Sequence, residues 1–122
     1  MRVVCVRIID QVTGMEESSS PWLELDAEYD VLEIYCAPRR AIKLRIASDD
    51  SATPALFDST MFMTIDSSIR SSWVASVTEG GELRVGPGLW MREGIWEDYF
   101  DRDPRAVREY QLGCADESGA DQ

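Results

Sequence analysis

Carboxylates dominate the side chains of this sequence that could do chemistry. Its 122 residues carry 23 Asp and Glu against 12 Lys and Arg, a net charge of −11, and no histidine. Without histidine there is no Ser-His or Cys-His nucleophile pair, no imidazole base and no His-ligated metal. Cys5, Cys36 and Cys114 stand singly, with no CxxC, so a cysteine zinc site is not built. What remains is carboxylate chemistry: acid–base pairs, hard cations, or attraction of a cationic surface. No spacing selects one acid–base pair and no motif with a mechanism is present, so no catalytic residue is assigned. Asp49-Asp50 and Asp101-Arg102-Asp103 offer oxygens for Mg²⁺ or Ca²⁺. The EF-hand pattern nevertheless breaks at Arg105, and Asp103 reads better as a helix cap. Gly86-Pro87-Gly88 lacks the helix of a phosphate loop, and Pro87 has no N–H to give an anion. The expectation is of no cofactor and no metal.

The acids are not evenly spread. Asp10, Glu16, Glu17, Glu24, Asp26, Glu28, Asp30 and Glu33 fall within residues 10–33, which contain no cation. Such a concentration steers a cationic partner and repels nucleic acid and anionic membrane. A solvated edge that keeps the chain soluble is the competing account. A second group, Glu97, Asp98 and Asp101, is interleaved with Trp96, Tyr99 and Phe100. Aromatic anchors beside acids can form a binding hot spot. Trp96, Tyr99 and Phe100 also have the i, i+3, i+4 spacing of a core stripe, so Trp96 and Phe100 are expected inside, with Asp98 and Asp101 pointing away. The expected partner-binding residues are Glu16, Glu17, Glu24, Asp26, Glu28 and Asp30, with Glu97, Asp98 and Asp101 as second choice.

The elements that must hold these groups are mostly strands. Arg2–Ile9 is β-branched and apolar and reads as one strand. Met15–Pro21 reads as an exposed polar connection and Trp22–Leu25 as a short strand. Tyr29–Cys36 and Ala41–Ala47 read as a hairpin about Pro38-Arg39-Arg40. In its second strand Ile42, Leu44 and Ile46 point inward, Lys43 and Arg45 outward, with Glu33 opposite them on the outer face. Ser48–Pro54 is a loop, Pro54–Asp58 a helical turn and Met61–Ile65 a strand. Trp73–Val77 and Glu82–Val85 form a second hairpin, with Gly80-Gly81 supplying positive φ. After Gly86-Pro87-Gly88 breaks the strand pattern, Ile95–Phe100 reads as a short helix. A second helix is capped by Asp103, begins at Pro104 and stops at Gly113. Cys5 and Cys36 lie in apolar runs and read as reduced core thiols, with a Cys5–Cys36 bridge as the alternative.

Strands first and helices last, without βαβ alternation, give an α+β class: a curved, mostly antiparallel sheet of about five to seven strands with one or two short C-terminal helices. Residues 1–113 are read as a single domain and 114–122 as an acidic flexible tail. Met1-Arg2 leads into VVCVRIID, which has an arginine in its middle and no small-residue cleavage site after it. No apolar run approaches ~20 residues, so the expectation is a soluble cytoplasmic protein.

Pro54 to Tyr110 contains PALFDSTMF, SIRSSW, GELRVGPGLW and EGIWEDYFDRDPRAVREY. This segment resembles a family of small bacterial orphan proteins patterned PALFD, IPxxW, GxLxLxPxxW and GFWExFFxxDPxA. These are similar to the immunity-type partners encoded beside polymorphic or contact-dependent toxins. Trp90, Trp96 and the EDYFDRDPRA run carry most of it; Arg70 stands where the pattern has Pro, and Ile95 where it has Phe. The resemblance implies a binding protein that neutralises a cognate toxin domain, with no catalytic residue and no cofactor. A cytotoxic nuclease must be cationic to hold phosphates, which suits an acidic inhibitor. The alternatives are a small carboxylate-based metal-binding domain or enzyme, or an oligomer whose Trp-rich C-terminal third is its interface.

Overall fold

One long strand organises the molecule. In the computed structural model, which describes residues 1–47 and 54–119 and side chains as far as Cys114, β4 (Glu28–Cys36) is the longest strand. Its first half alternates as a strand with one wet face should: Glu28 and Asp30 are exposed, Tyr29 and Val31 buried. One edge of β4 carries β5 (Lys43–Ala47) and then β6 (Pro54–Asp58). Its other edge is shared end to end. β1 (Arg2–Cys5) pairs with the N-terminal half, Arg2 opposite Asp30, and β9 (Leu83–Pro87) with the C-terminal half, Ile34 opposite Val85. β7 (Phe62–Asp66) lies outside β1, and β8 (Trp73–Val77) outside β9. The result is a seven-stranded sheet in which every pairing is antiparallel. β2 (Ile8–Ile9) and β3 (Glu16–Glu17) make a separate two-stranded ribbon. Two helices, α1 (Ile95–Phe100) and α2 (Pro104–Gly119), complete an α+β fold.

The two faces of the sheet are covered differently. Val3, Cys5, Tyr29, Val31, Leu44, Ile46 and Phe57 face the main core, closed by Ile8, Leu23 and Met61. Phe62 packs edge-on against both Tyr29 and Phe57. A register shift between Val31 and Glu33 then turns Leu32 and Glu33 together towards the helices. There Leu32, Trp90 and Ile95 form a smaller core, with Ala47, Trp96 and Tyr110 against it.

Several expected elements take another form. The strand expected over Arg2–Ile9 is broken, because the Val6 and Arg7 amides both turn to the Met61 carbonyl. The PALFD run is a strand rather than a helical turn: it pairs residue for residue with β5, and Pro54 sits at its first position, where a missing N–H is tolerated. Trp22–Leu25 is not a strand, whereas Glu16-Glu17, expected as loop, is one. Glu33 and Arg45 do pair across the hairpin, but inside the protein rather than on its outer face, because α1 and the Trp90 turn cover them. Ile42, expected inward, is exposed ahead of β5, and Phe100 is exposed at the end of α1. Of the two hairpin glycines only Gly81 has positive φ. β9 runs on through Gly86 and Pro87. α2 passes Gly113 and continues to Gly119. Cys5 and Cys36 are thiols with no bridge between them. The loop over 48–53, with Asp49-Asp50, and the end of the tail at 120–122 lie outside the described residues.

Candidate functional site

The acidic segment is held by its own short-range chemistry. The Asp10 carboxylate accepts from the Val12 and Thr13 amides at 2.8 and 3.1 Å, and these two donors hold its pKa below the usual aspartate value. Gly14, at φ 75°, donates to the Asp10 carbonyl, and the Asp10 amide donates to Met15. This tight loop returns Glu16 and Glu17 against Ile9 and Ile8. Further on, the Glu24 amide donates to the Tyr29 hydroxyl at 2.9 Å. Asp26, at φ 68°, donates its amide to the Cys5 carbonyl, and Cys5 returns a bond to Ala27. The segment is therefore tied to β2 at its N-terminal end and to β1 and β4 at its C-terminal end, with Leu23 in the main core.

Pinning leaves apolar side chains outside. Val12 is 94% exposed and Trp22 49%, with Met15 and Leu25 also exposed. Beside Val12 and Trp22 opens a groove of about 390 Å³ whose floor is Ile8, Leu23, Phe57 and Met61 and whose rim includes Val12, Trp22, Asp10 and Glu17. A second hollow of about 380 Å³ lies across Ser19, Ser20 and Leu23, beside Glu24 and Leu25.

The eight acids of residues 10–33 separate into three groups. Glu33 is fully buried, its carboxylate between Arg45 at 3.1 Å and Arg84 at 3.0 Å. Glu28 and Asp30 are exposed and share Arg2, at 3.3 and 3.0 Å. Asp10, Glu16, Glu17, Glu24 and Asp26 have no cation within ion-pair distance among the described residues.

No family model, curated protein or solved structure matches the chain.

The second-choice acids lie over the opposite face of the sheet, on α1. Asp98 is bonded to Arg92 at 2.9 Å, and Arg92 also holds Glu109. Asp101 ends the helix, its amide donating to the Glu97 carbonyl. Glu97 borders a groove of about 700 Å³ with Glu79, Glu82 and Glu93 on its rim and Arg45 and Arg84 among its lining. There the Tyr35 hydroxyl donates to Glu82, and the Arg45 guanidinium lies 3.9 Å from the centre of the Trp96 ring. The structure thus brings Asp10, Glu16, Glu17, Glu24 and Asp26 onto one pinned segment and sets Glu97, Asp98 and Asp101 apart from them. Among the described residues no group of three or more metal-ligating side chains converges, and Asp103 instead accepts from the Arg105 amide at 2.9 Å. No helix among the described residues is long and apolar enough to cross a membrane. The apolar groove was not foreseen in the sequence. Its signal was Trp22, a lone aromatic in a serine- and acid-rich stretch.

Proposed function

We propose that this chain is an immunity-type binding protein, one that neutralises a cognate toxin domain by docking an acidic surface over its basic site. The observation that carries the reading is the set of five carboxylates, Asp10, Glu16, Glu17, Glu24 and Asp26, with no cation within ion-pair distance among the described residues, on one segment tied down by its own hydrogen bonds. Such unneutralised charge accelerates encounter with a cationic surface and fixes its orientation. The resemblance of residues 54–110 to immunity-type proteins supports the same reading, which places the protein in the cytoplasm of the cell that makes the toxin. Glu28 and Asp30 contribute less, because Arg2 already answers them. The protein performs no bond chemistry in this account; it occludes.

Pull-down and stopped-flow association with the product of the adjacent gene test the proposal. A complex is expected at low salt, with an on-rate that falls as salt rises. The combined Glu16→Lys, Glu17→Lys and Glu24→Lys variant is expected to lower that on-rate about tenfold or more and to flatten its salt dependence. Absence of a complex at low salt, or an unchanged on-rate in the variant, overturns the reading.

A further inference from the structure

We infer that the groove beside Trp22 seats an apolar side chain presented on a cationic segment of a partner protein. The inference rests on the docking function proposed above and adds to it the chemistry of the partner's contact residue. The groove is built differently from an ordinary surface dip. Its floor is the main core itself, since Ile8, Leu23, Phe57 and Met61 all belong to that buried cluster. Its rim is Val12 and Trp22, exposed although apolar. The backbone around it is fixed by the Asp10 loop on one side and the Glu24–Tyr29 bond on the other. An incoming group therefore meets a preformed site and orders little on entry. A volume of about 390 Å³ is near the low end of the ~300–1,000 Å³ range of ligand pockets, room for one or two side chains rather than a helix.

Charge selects the occupant. Asp10 and Glu17 border the groove and Glu16 and Glu24 flank it, none with a cation within ion-pair distance among the described residues, while Lys43 reaches the groove's Gln11 at 3.3 Å. A second copy of this chain, at net charge −11, would bring acid onto acid. The complementary shape is a leucine or aromatic residue flanked by lysine and arginine. The two parts of such a contact act on different rates. The acids govern encounter, and the Trp22 groove governs how long the partner stays.

The test uses the full ¹⁵N-labelled chain and three peptides: KRKLFKRK, its serine counterpart KRKSSKRK, and the acidic EDELFEDE. The Trp22 indole N–H is assigned by its loss in Trp22→Phe. Expected at low salt is binding of KRKLFKRK about tenfold or more tighter than KRKSSKRK, no binding of EDELFEDE, and a shift of the Trp22 indole with those of Trp73 and Trp90 unmoved. Val12→Ser and Trp22→Ser should weaken KRKLFKRK to the level of the serine peptide while leaving its salt dependence as it was. Equal binding of the two cationic peptides overturns the groove inference and leaves the acidic docking reading standing. Binding of EDELFEDE as tight as KRKLFKRK removes the cationic requirement and overturns it too. So does loss of both cationic peptides, a shift confined to Trp96, or concentration-dependent self-association abolished by Trp22→Ser. Association with the toxin domain judges the docking reading separately.

Discussion

Glu33 shows what a single residue can do in this fold. Its carboxylate is 0% exposed and sits between the Arg45 and Arg84 guanidiniums, which donate on to the Pro54 and Trp90 carbonyls at 2.8 and 2.6 Å. The three charges thereby tie β4, β5 and β9 to the turn that carries Trp90. Burial lowers the Arg45 pKa, and Glu33 opposes that shift. Gly86 leaves the space, since a Cβ there would lie 3.3 Å from the Glu33 side chain. Desolvation offsets most of what such a buried group gains, but removing one member strands the others. Glu33→Ala should therefore lower the unfolding free energy by about 3–5 kcal/mol in urea titration, while Glu33→Leu combined with Arg45→Met and Arg84→Met should cost much less. Equal losses in the two variants would contradict the stranded-charge account. Gly113 makes a comparable steric demand. A Cβ there would lie 2.3 Å from the Trp90 Nε1, on an indole already fixed by its bond to the Glu109 carbonyl at 3.0 Å. Gly113→Ala should destabilise by about 1–3 kcal/mol or more, read from the same titrations.

Elements show where sequence patterning succeeds and where it stops. The β4–β5 and β8–β9 hairpins were legible because their alternation and turn residues are local, α1 because Trp96, Tyr99 and Phe100 keep helical spacing, and the start of α2 because Asp103-Pro104 is a strong start signal. The end of α2 was not legible. Gly113 looks like a stop, yet it lies within the helix where the backbone passes against Trp90, a reason only tertiary structure supplies. PALFD failed likewise, because its strand character comes from β5 beside it rather than from its own pattern. Of the candidate site, the acid-rich segment was legible and the burial of Glu33 was not, since that follows from the register shift in β4. The helices dock through rings: Trp90 stacks on Tyr110 at 5.5 Å, and Tyr99 lies 4.9 Å from Tyr110. Burial, followed by the neighbouring Cys114, raises the Tyr110 pKa far above the ordinary 10.0. Folding therefore favours the neutral phenol. That contribution is fully present below 10.0 and is lost as pH rises through the higher folded value. Near-ultraviolet circular dichroism of the ring cluster should weaken above pH 10.0. Tyr110→Phe should move that onset upward; an unmoved onset would assign the alkaline transition to another group.

At the scale of the whole molecule, the charge assigned to docking in the proposed function acts against folding. A net charge of −11 repels itself, and Asp10, Glu16, Glu17, Glu24 and Asp26 concentrate that repulsion on one segment. Asp10 has a second duty, since its ionised carboxylate caps the Val12 and Thr13 amides. Its lowered pKa gives stability that is present above 3.8 and lost as pH falls through the depressed value. The other four can be neutralised without breaking a described ion pair, and asparagine accepts the left-handed backbone of Asp26. The combined Glu16→Gln, Glu17→Gln, Glu24→Gln and Asp26→Asn variant should therefore melt a few degrees higher than the natural chain at low salt, by calorimetry. If the proposed docking holds, the same variant should associate with the product of the adjacent gene about tenfold more slowly. Salt should erase both differences together, because a Debye length of about 3 Å at 1 M screens the repulsion and the steering alike. A variant that gains stability without losing association rate would separate the two effects and contradict the docking role proposed for these acids.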